Sequence, residues 1–325
     1  MAFIYFIQFS KMLSVIIPIH NGEKYIPDLV SHLKEVTYKN FEAIFIDNNS
    51  TDKSVLVLQE ALKDVPFSSK ILSEEKQGAG SARNTGIKNA NGTYLAFLDC
   101  DDKVHLSKWE EDISIFESHN VDFVFCRTQK NYDDGRVVYN PIDGFIEGVN
   151  NPPGLGYIWL KHYFYLQGTG AIMIKKEIVE QLGGFHSIKT GEDAFLFIRL
   201  GLKYTGYFYN KIYFFYTRHS KSTTSNTNTI QDGTLWSYFN LRKNLYNDAV
   251  VKNDLEAFKT VRKQLNYDAL LLHRSGNSLN ETLNDKLLKD FKVDFLLFNP
   301  ISLFFNRLFT KNKYNPFLQV WKRIN

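Results

Sequence analysis

The chain has 325 residues, enough for about two domains or for one large α/β domain with an appendage, and either arrangement can bury a sizeable core. Hydrophobic residues make up 44% of the chain and charged residues 23%, which excludes a fibrous or an intrinsically disordered protein. The net charge of +4 is too small, and the basic residues too scattered, for a nucleic-acid partner. A small-molecule substrate is therefore expected.

The first part of the chain alternates between strand and helix patterns. Three continuous apolar runs predict buried parallel strands, at 13–18, 41–46 and 93–98. Three segments with helical spacing separate them, at 24–35, 51–62 and 79–89. Such alternation is typical of βαβ units in a parallel sheet.

The pattern becomes mixed after residue 126. Asp133-Asp134-Gly135 predicts a hairpin turn, and a strand at 170–174 precedes a helix that begins at Lys175. A further helix is expected from Asp193, followed by an aromatic strand at 212–216. From about residue 231 the pattern is helical to the end. The second half is therefore predicted to be α+β with a helical extension.

The cysteines and the first residues bear on the compartment. Cys100 and Cys126 each lie in a predicted strand region and form no spaced cluster, which indicates a reducing compartment. The apolar segment 1–9 is shorter than the roughly 20 residues that a membrane span needs, and no small-residue cleavage site follows it. Either Met12 is the true start or segment 1–9 is a tail that touches a membrane.

Acidic residues follow two of the predicted strands, at the edge where open parallel sheets bind ligands. Asp47 ends the second strand, and Asp99, Asp101 and Asp102 follow the third. Three carboxylates this close repel one another unless a cation joins them, and an all-oxygen site suits Mg²⁺ or Mn²⁺. Such a metal keeps open positions for the phosphate oxygens of a nucleotide diphosphate. The alternative is an Asp-rich turn that caps the next helix.

Two glycine-containing segments add weaker signals. Residues 78–86 open a helix with small side chains, so that backbone N–H groups and Arg83 can face an anion. Gly183-Gly184-Phe185 and then Gly191-Glu192-Asp193 place an acidic pair where a helix begins. Ordinary helix starts and caps explain either segment when it is taken alone.

Together these segments resemble family 2 glycosyltransferases of the GT-A fold. The resemblance covers roughly residues 12–225 and rests on five segments in the family's order, at 15–23, 47–52, 80–86, 97–102 and 184–193. It implies an α/β fold with a Rossmann-like, mostly parallel central sheet and flanking helices. A nucleotide-sugar-binding half at 12–126, an acceptor-binding half at 127–225 and a helical C-terminal extension at 226–325 are expected.

The resemblance also implies a role for each site residue. Base and ribose of the donor would be lined by the turn that contains Pro18, His20, Asn21 and Glu23. Asp47 would accept a hydrogen bond from the uracil imide N–H, Arg83 would lie beside base and phosphates, and Asp99 near the ribose. The metal, Mn²⁺ or Mg²⁺, would be held by Asp101, with Asp99 and His219. Asp193 would be the general base, with Glu192 beside it.

Two positions depart from the family's pattern. His20 replaces the usual aromatic residue before Asn21. In the late segment 216–222, which is similar to the family's Tyr-Arg-x-His-x-x-Ser, Thr217 replaces the usual Arg. A lone surface histidine is the alternative interpretation of His219.

The expected reaction is a single displacement that inverts the anomeric carbon. One hexosyl or N-acetylhexosaminyl group would pass from a UDP-sugar to a glycan or lipid-linked acceptor, in the assembly of bacterial capsule, lipopolysaccharide or teichoic acid. A sugar-nucleotide-forming nucleotidyltransferase is one alternative, although it requires a Gly-rich loop where this chain has residues 20–23. A non-catalytic carbohydrate-binding relative is the other. The chain carries no Gln-x-x-Arg-Trp motif, so a non-processive enzyme is expected.

The last residues predict the location. Segment 291–325 places aromatic residues among basic ones, with Asp294 as its only acid, a pattern found in peripheral contacts such as one at the inner face of the plasma membrane. Packing onto the catalytic domain or onto a partner subunit is the alternative. Either way the enzyme is expected to be cytoplasmic.

Overall fold

The computed structural model describes residues 12–188, 190–218 and 234–274. Four expectations lie outside these residues, namely the tail at 1–9, the metal ligand His219, the helical pattern beyond residue 274 and the membrane contact of segment 291–325. No helix among the described residues is long and apolar enough to cross a membrane.

Strands and helices alternate along the first part of the described chain and become mixed later. The strands are β1 (Leu13–Ile19), β2 (Phe41–Asp47), β3 (Ser68–Ser73), β4 (Tyr94–Phe97), β5 (Lys103–Val104), β6 (Phe123–Tyr132), β7 (Val137–Tyr139), β8 (Gly148–Asn150), β9 (Ile172–Lys175) and β10 (Gly206–Arg218). The helices are α1 (Ile26–Glu35), α2 (Ser54–Ala61), α3 (Ala79–Asn89), α4 (Lys108–Ser118), α5 (Gly154–Lys161), α6 (Lys176–Gln181), α7 (Glu192–Lys203), α8 (Thr234–Asn247), α9 (Ala249–Lys252) and α10 (Leu255–Arg274).

One sheet runs through the molecule in the order β3-β2-β1-β4-β9-β6-β10-β5, with β7 beside β6 and β8 beside β10. The strands β3, β2, β1 and β4 are parallel, as are β6 and β10. Strand β9 is antiparallel between β4 and β6. The predicted α/β fold with a central sheet and flanking helices is therefore confirmed, and α3 has the predicted bounds.

Helices cover both faces of the sheet, which is why its central strands are apolar along their whole length. Ile16 of β1 packs in the core beneath α3, α5 and α7, while Val15 and Ile17 pack in the opposite core with α1 and α4. Helix α3 comes very close to β1 at Gly86, where a Cβ atom would lie 2.5 Å from Ile16 Cγ2. The glycine therefore sets the distance between helix and sheet.

Strand β3 was not predicted, because its sequence SSKILS is polar and has no apolar run. It lies at the edge of the sheet, where its side chains are exposed or half-buried. Lys70 of β3 forms a 2.9 Å ion pair with the buried Glu42 of β2. An edge strand needs little apolar surface, and hydrophobic patterning therefore misses it.

The helices after residue 234 pack on the second half of the sheet domain. The Arg199 Nε of α7 lies 2.9 Å from Asp248, and the Tyr157 hydroxyl of α5 donates to Asp254 at 2.9 Å. Gln264 of α10 donates to a backbone carbonyl of α5. The predicted helical pattern is confirmed for 234–274, and these contacts fix α8–α10 against α5 and α7.

Candidate functional site

The turn after β1 is held by the turn after β2. The backbone N–H of Asn21 donates to Ser50 Oγ at 3.1 Å, and its side-chain oxygen accepts the Thr51 N–H at 2.8 Å. Glu23 accepts the Lys53 N–H at 2.8 Å. Two of the predicted donor-binding side chains, Asn21 and Glu23, thus fix the shape of the edge on which a ligand would lie.

A buried asparagine, Asn48, joins three loops of this edge. Its Nδ2 donates to the carbonyl oxygens of Glu74 at 2.7 Å and Lys76 at 2.9 Å, and its Oδ1 accepts the Gly78 N–H at 2.7 Å. Its own carbonyl oxygen lies 2.9 Å from His20 Nδ1. Sequence reasoning missed Asn48, although a polar residue directly after a buried strand is a usable signal.

The side chains that follow β4 point to different partners. Asp99 receives the Arg83 guanidinium at 2.8 Å, and the buried Asp102 accepts the Thr217 N–H at 2.8 Å. The Cys100 sulfur fills the space under Gly22, where a Cβ atom would lie 3.0 Å from it. Asp99 and Asp102, two of the three clustered carboxylates, therefore bind different partners.

Asp102 differs from Asp99 and Asp101 because it is buried. Burial raises the pKa of its carboxyl well above the usual range, and the charges of Asp99 and Asp101 raise it further. Asp101 is half-buried. The pKa of Lys24 is raised by a hydrogen bond with Tyr25, and the charges of Asp133 and Asp101 raise it further. Among the described residues no three His, Cys, Asp or Glu side chains are grouped closely enough to bind a metal.

Arg83 connects the two halves of the site. Its side chain is 4% exposed, and Nη2 donates to Asp99 while Nη1 donates to Glu192 at 3.1 Å. The guanidinium also lies 5.3 Å from the centre of the Phe185 ring. Burial alone would lower the pKa of Arg83, but the charges of Asp99 and Glu192 outweigh this effect and raise the pKa above its usual range. Arg83, Asp99 and Glu192 thus form one network, which places the start of α7 beside the end of β4.

The small residues that open α3 make room for this network. A Cβ atom on Gly80 would lie 3.1 Å from Glu192 Cγ and 3.2 Å from the His186 carbonyl oxygen. The Gly78 N–H, at the start of the helix, is already bound by Asn48. Glycine at position 80 therefore allows α7 to approach α3.

Asn84 clamps the loop that leads toward α7. Its Oδ1 accepts the Phe185 N–H and its Nδ2 donates to the Phe185 carbonyl oxygen, both at 2.8 Å. Gly184 has φ 73°, and a Cβ atom there would lie 2.5 Å from Asn84 Oδ1. Both the left-handed backbone and the close contact require glycine. The role of Asn84 was not predicted.

The acidic pair Glu192-Asp193 begins α7 after Gly191, which has φ 87°. Negative charge is favourable at a helix N-terminus. Burial, and next the charge of Asp193, raise the pKa of Glu192 to about 7, and the Arg83 charge opposes this increase. Asp193 accepts the Ala194 N–H at 2.7 Å. The two neighbouring carboxylates therefore have different environments.

These segments match a known family along more than half of the chain. The sequence model of Glycosyl transferase family 2 fits residues 14–183, from β1 to the turn after α6. The chain belongs to this family. The predicted resemblance is thereby confirmed.

Relatives within family 2 include proteins of cell-surface polysaccharide synthesis. The putative teichuronic acid biosynthesis glycosyltransferase TuaG of Bacillus subtilis is 31% identical over 221 residues, which are 67% of this chain and 84% of TuaG. Other relatives are longer, and the chain spans 22% of the length of two Rickettsia glycosyltransferases that it matches.

Solved structures support the fold. S. aureus TarS 1–349 in complex with UDP-GlcNAc has a TM-score of 0.59 at 18% identity, covering 86% of this chain and 77% of TarS. The mannosyltransferase PcManGT from Pyrobaculum calidifontis, in complex with GDP-Man and Mn²⁺, has a TM-score of 0.50 at 14% identity, covering 97% and 83%. At such identities these likenesses concern the fold, and the predicted GT-A fold is confirmed.

We predict that Asn84→Ala lowers the free energy of unfolding by about 1–3 kcal/mol, because it leaves the buried N–H and carbonyl of Phe185 unpaired. Asn89→Ala is the matched control, since Asn89 ends the same helix and makes one exposed bond to the Thr85 carbonyl. Urea denaturation of both variants measures the difference. Equal stability of the two variants would contradict the clamp.

The raised pKa of Glu192 predicts a pH dependence of stability. The folded state keeps the proton to about pH 7, while the unfolded chain releases it near 4.5, so the free energy of unfolding falls as pH rises between these values. The Glu192→Gln variant has no carboxyl to titrate, so its free energy of unfolding does not fall in this way. The difference in free energy of unfolding, variant minus wild type, should therefore increase by about 1–3 kcal/mol from pH 4.5 to 7.5.

Denaturation at a series of pH values tests this dependence. Glu180→Gln is the control, since Glu180 is 54% exposed on α6. A difference between Glu192→Gln and wild type that does not change with pH would show that Glu192 titrates normally.

Proposed function

We propose that this chain transfers one sugar from a nucleotide diphosphate sugar, a UDP-sugar in the first instance, to an acceptor hydroxyl with inversion. The observation that carries the proposal is the network at the carboxyl edge. Asp99 from β4 and Glu192 from α7 share the Arg83 guanidinium, and Asp193 follows in the same helix. Membership of family 2 supports sugar transfer as the reaction class.

The donor would lie across the ends of β1, β2 and β4. Asp47 ends β2, and its Oδ1 accepts the Ser50 N–H at 3.3 Å, which orients the carboxylate toward the turn. We assign Asp47 to the uracil imide N–H. We assign Pro18, near the end of β1, and His20, in the turn that follows, to the base and ribose. The complexes of TarS with UDP-GlcNAc and of PcManGT with GDP-Man support a nucleotide sugar as donor.

Asp193 is the better candidate for the general base. Glu192 is held by Arg83 and packs over Gly80, so movement of its carboxylate would break a buried ion pair. Asp193 has no salt bridge among the described residues, and the Ala194 N–H orients one of its oxygens. It would take the proton from the acceptor oxygen while that oxygen attacks the anomeric carbon. Glu192 and Arg83 would hold the start of α7 in place.

We propose a divalent cation that binds only together with the substrate, because the described residues alone do not form a metal site. Mg²⁺ and Mn²⁺ sites in such enzymes use one or two carboxylates plus phosphate oxygens and water. Asp101 is half-buried and would be the principal ligand, with Asp99 and His219 as further ligands. When bound, the cation would neutralise charge on the departing diphosphate. PcManGT was solved in complex with Mn²⁺, which supports a divalent cation as cofactor.

The acceptor is proposed to be a glycan or a lipid-linked saccharide. The name of TuaG places that relative in teichuronic acid synthesis, and GgaB of Bacillus subtilis, 25% identical over 189 residues, is a minor teichoic acid biosynthesis protein. We therefore propose a role in cell-surface polysaccharide assembly, with a hexosyl or N-acetylhexosaminyl group transferred on the cytoplasmic side of the membrane. Nucleotide release across UDP-, GDP- and dTDP-sugars with Mn²⁺ would test the donor.

We expect Asp193→Asn to lower turnover by about 10²- to 10⁴-fold with donor affinity nearly unchanged, since Asn keeps the shape of Asp but cannot accept the proton. Glu192→Gln is the matched comparison. If Glu192→Gln is inactive with intact folding while Asp193→Asn turns over normally, the base has been assigned to the wrong carboxylate.

UDP binding should require Mn²⁺ or Mg²⁺ and should be largely lost in Asp101→Ala, because without the cation the acidic edge repels the diphosphate. Isothermal titration calorimetry with and without EDTA measures this. Asp134→Ala removes an exposed acid that pairs with Arg136 and serves as the control. Equal UDP affinity in EDTA for wild type and Asp101→Ala would refute the metal assignment.

A further inference from the structure

Two basic side chains share one face of the parallel pair β6 and β10, near the carboxyl ends of both strands. In the register of this pair Lys130 lies opposite Tyr216, and Tyr132 lies opposite Arg218. Residues two apart on a strand point to the same face, so Lys130 and Arg218 extend from the same side of the sheet. Tyr216 packs with the core that contains α1 and α4, which identifies this side.

Neither cation is neutralised within the described part of the chain. The Lys130 side chain makes no hydrogen bond or salt bridge there, and its pKa is lowered by burial and then by the charge of Arg218. Arg218 Nε is buried without a hydrogen-bond partner. Two half-buried like charges repel each other and are costly unless an anion joins them.

Other buried cations among the described residues have a carboxylate partner, unlike Lys130 and Arg218. Four of them are paired directly with a carboxylate, Arg83 with Asp99, Lys108 with Asp112, Arg199 with Asp248 and Arg242 with Asp268. Each of these four cations is at most 16% exposed. The half-buried Arg127 instead donates to the side-chain oxygen of Asn210. The Lys130–Arg218 pair has no carboxylate partner among the described residues, which leaves both cations available to an anionic ligand.

The pair lies at the candidate site. Thr217, the residue before Arg218, donates its N–H to Asp102, so the end of β10 is joined to the acidic turn after β4. The Arg218 carbonyl accepts the Asp133 N–H at 3.2 Å, and the Arg218 guanidinium lies 5.8 Å from the Tyr132 ring. These contacts hold Arg218 at the edge where the donor and acceptor are proposed to meet.

We propose that Lys130 and Arg218 form an oxyanion subsite that binds a phosphoryl group of a substrate. Arginine offers paired N–H donors to two phosphate oxygens, and lysine adds a second positive charge. The phosphoryl group belongs either to the donor diphosphate or to a phosphate carried by the acceptor. The role of this subsite in the reaction rests on the proposed sugar transfer. Its affinity for phosphate is independent of that proposal.

The test compares Lys130→Gln, Arg218→Gln and the charge-retaining Lys130→Arg with wild type. Lys211→Gln is the matched control, because Lys211 lies on the same strand β10 but pairs with Glu111 at 2.8 Å. Calorimetry with inorganic phosphate, UDP and uridine as probes measures affinity, and thermal unfolding without ligand measures folding. Both Gln variants should weaken phosphate binding by about tenfold or more, with uridine affinity unchanged, and Lys130→Arg should retain binding.

The unfolding measurement separates binding from structure. Because Lys130→Gln removes a repulsion, the variant without ligand should unfold at the same temperature as wild type or higher, whereas a purely structural lysine would lower it. If UDP binding weakens together with phosphate binding, the subsite holds the donor diphosphate. If phosphate binding alone weakens, the subsite holds a phosphate on the acceptor.

Unchanged affinity for both phosphate and UDP in the two Gln variants would overturn the proposal. Failure of the proposed function gives a different result, in which wild type binds neither UDP nor uridine and transfers no sugar. Phosphate binding that still depends on Lys130 and Arg218 would then support the subsite without the reaction.

Discussion

The Arg83 guanidinium lies between the carboxylates of Asp99 and Glu192, and the arrangement of the site depends on this buried contact. Asp99 follows a central strand, whereas Glu192 begins a helix more than ninety residues later in the chain. A cation that is 4% exposed requires a carboxylate partner, since loss of the partner of a buried charge typically costs about 3–5 kcal/mol. The same interaction therefore stabilises the fold and positions Asp193.

This dependence explains why small and amide side chains surround Arg83. Gly80 lets Glu192 approach α3, and Asn84, one residue after Arg83, holds the Phe185 backbone through two hydrogen bonds. Phe185 in turn covers the guanidinium. The consecutive residues Arg83 and Asn84 thus fix the same loop by charge and by hydrogen bonds, and α7 begins at a defined place relative to β4.

Much of this could be predicted from the sequence, because the signals are local. Apolar runs predicted β1, β2 and β4, helical spacing predicted α3, and the order of the short motifs predicted the family. Partners distant in sequence could not be predicted. Nothing in the segment 78–86 indicates that Gly80 faces Glu192 instead of an anion, or that Asn48 is buried among three loops. The polar edge strand β3 was missed because its position, and not its composition, makes it a strand.

The charged residues of the site lie in two pairs, which extend toward its edge from opposite faces of the sheet. Helices α3 and α7, which carry Arg83 and Asp193, pack on one core, while Lys130 and Arg218 extend on the side of the other. In an inverting transfer the base and the departing phosphate lie on opposite sides of the anomeric carbon. A sugar bound at this edge, beside Asp99 and Asp101, would have the proposed base on one side and the proposed phosphoryl subsite on the other. If the subsite holds the donor diphosphate, the two faces of the sheet would supply the base and the phosphate contact from different directions.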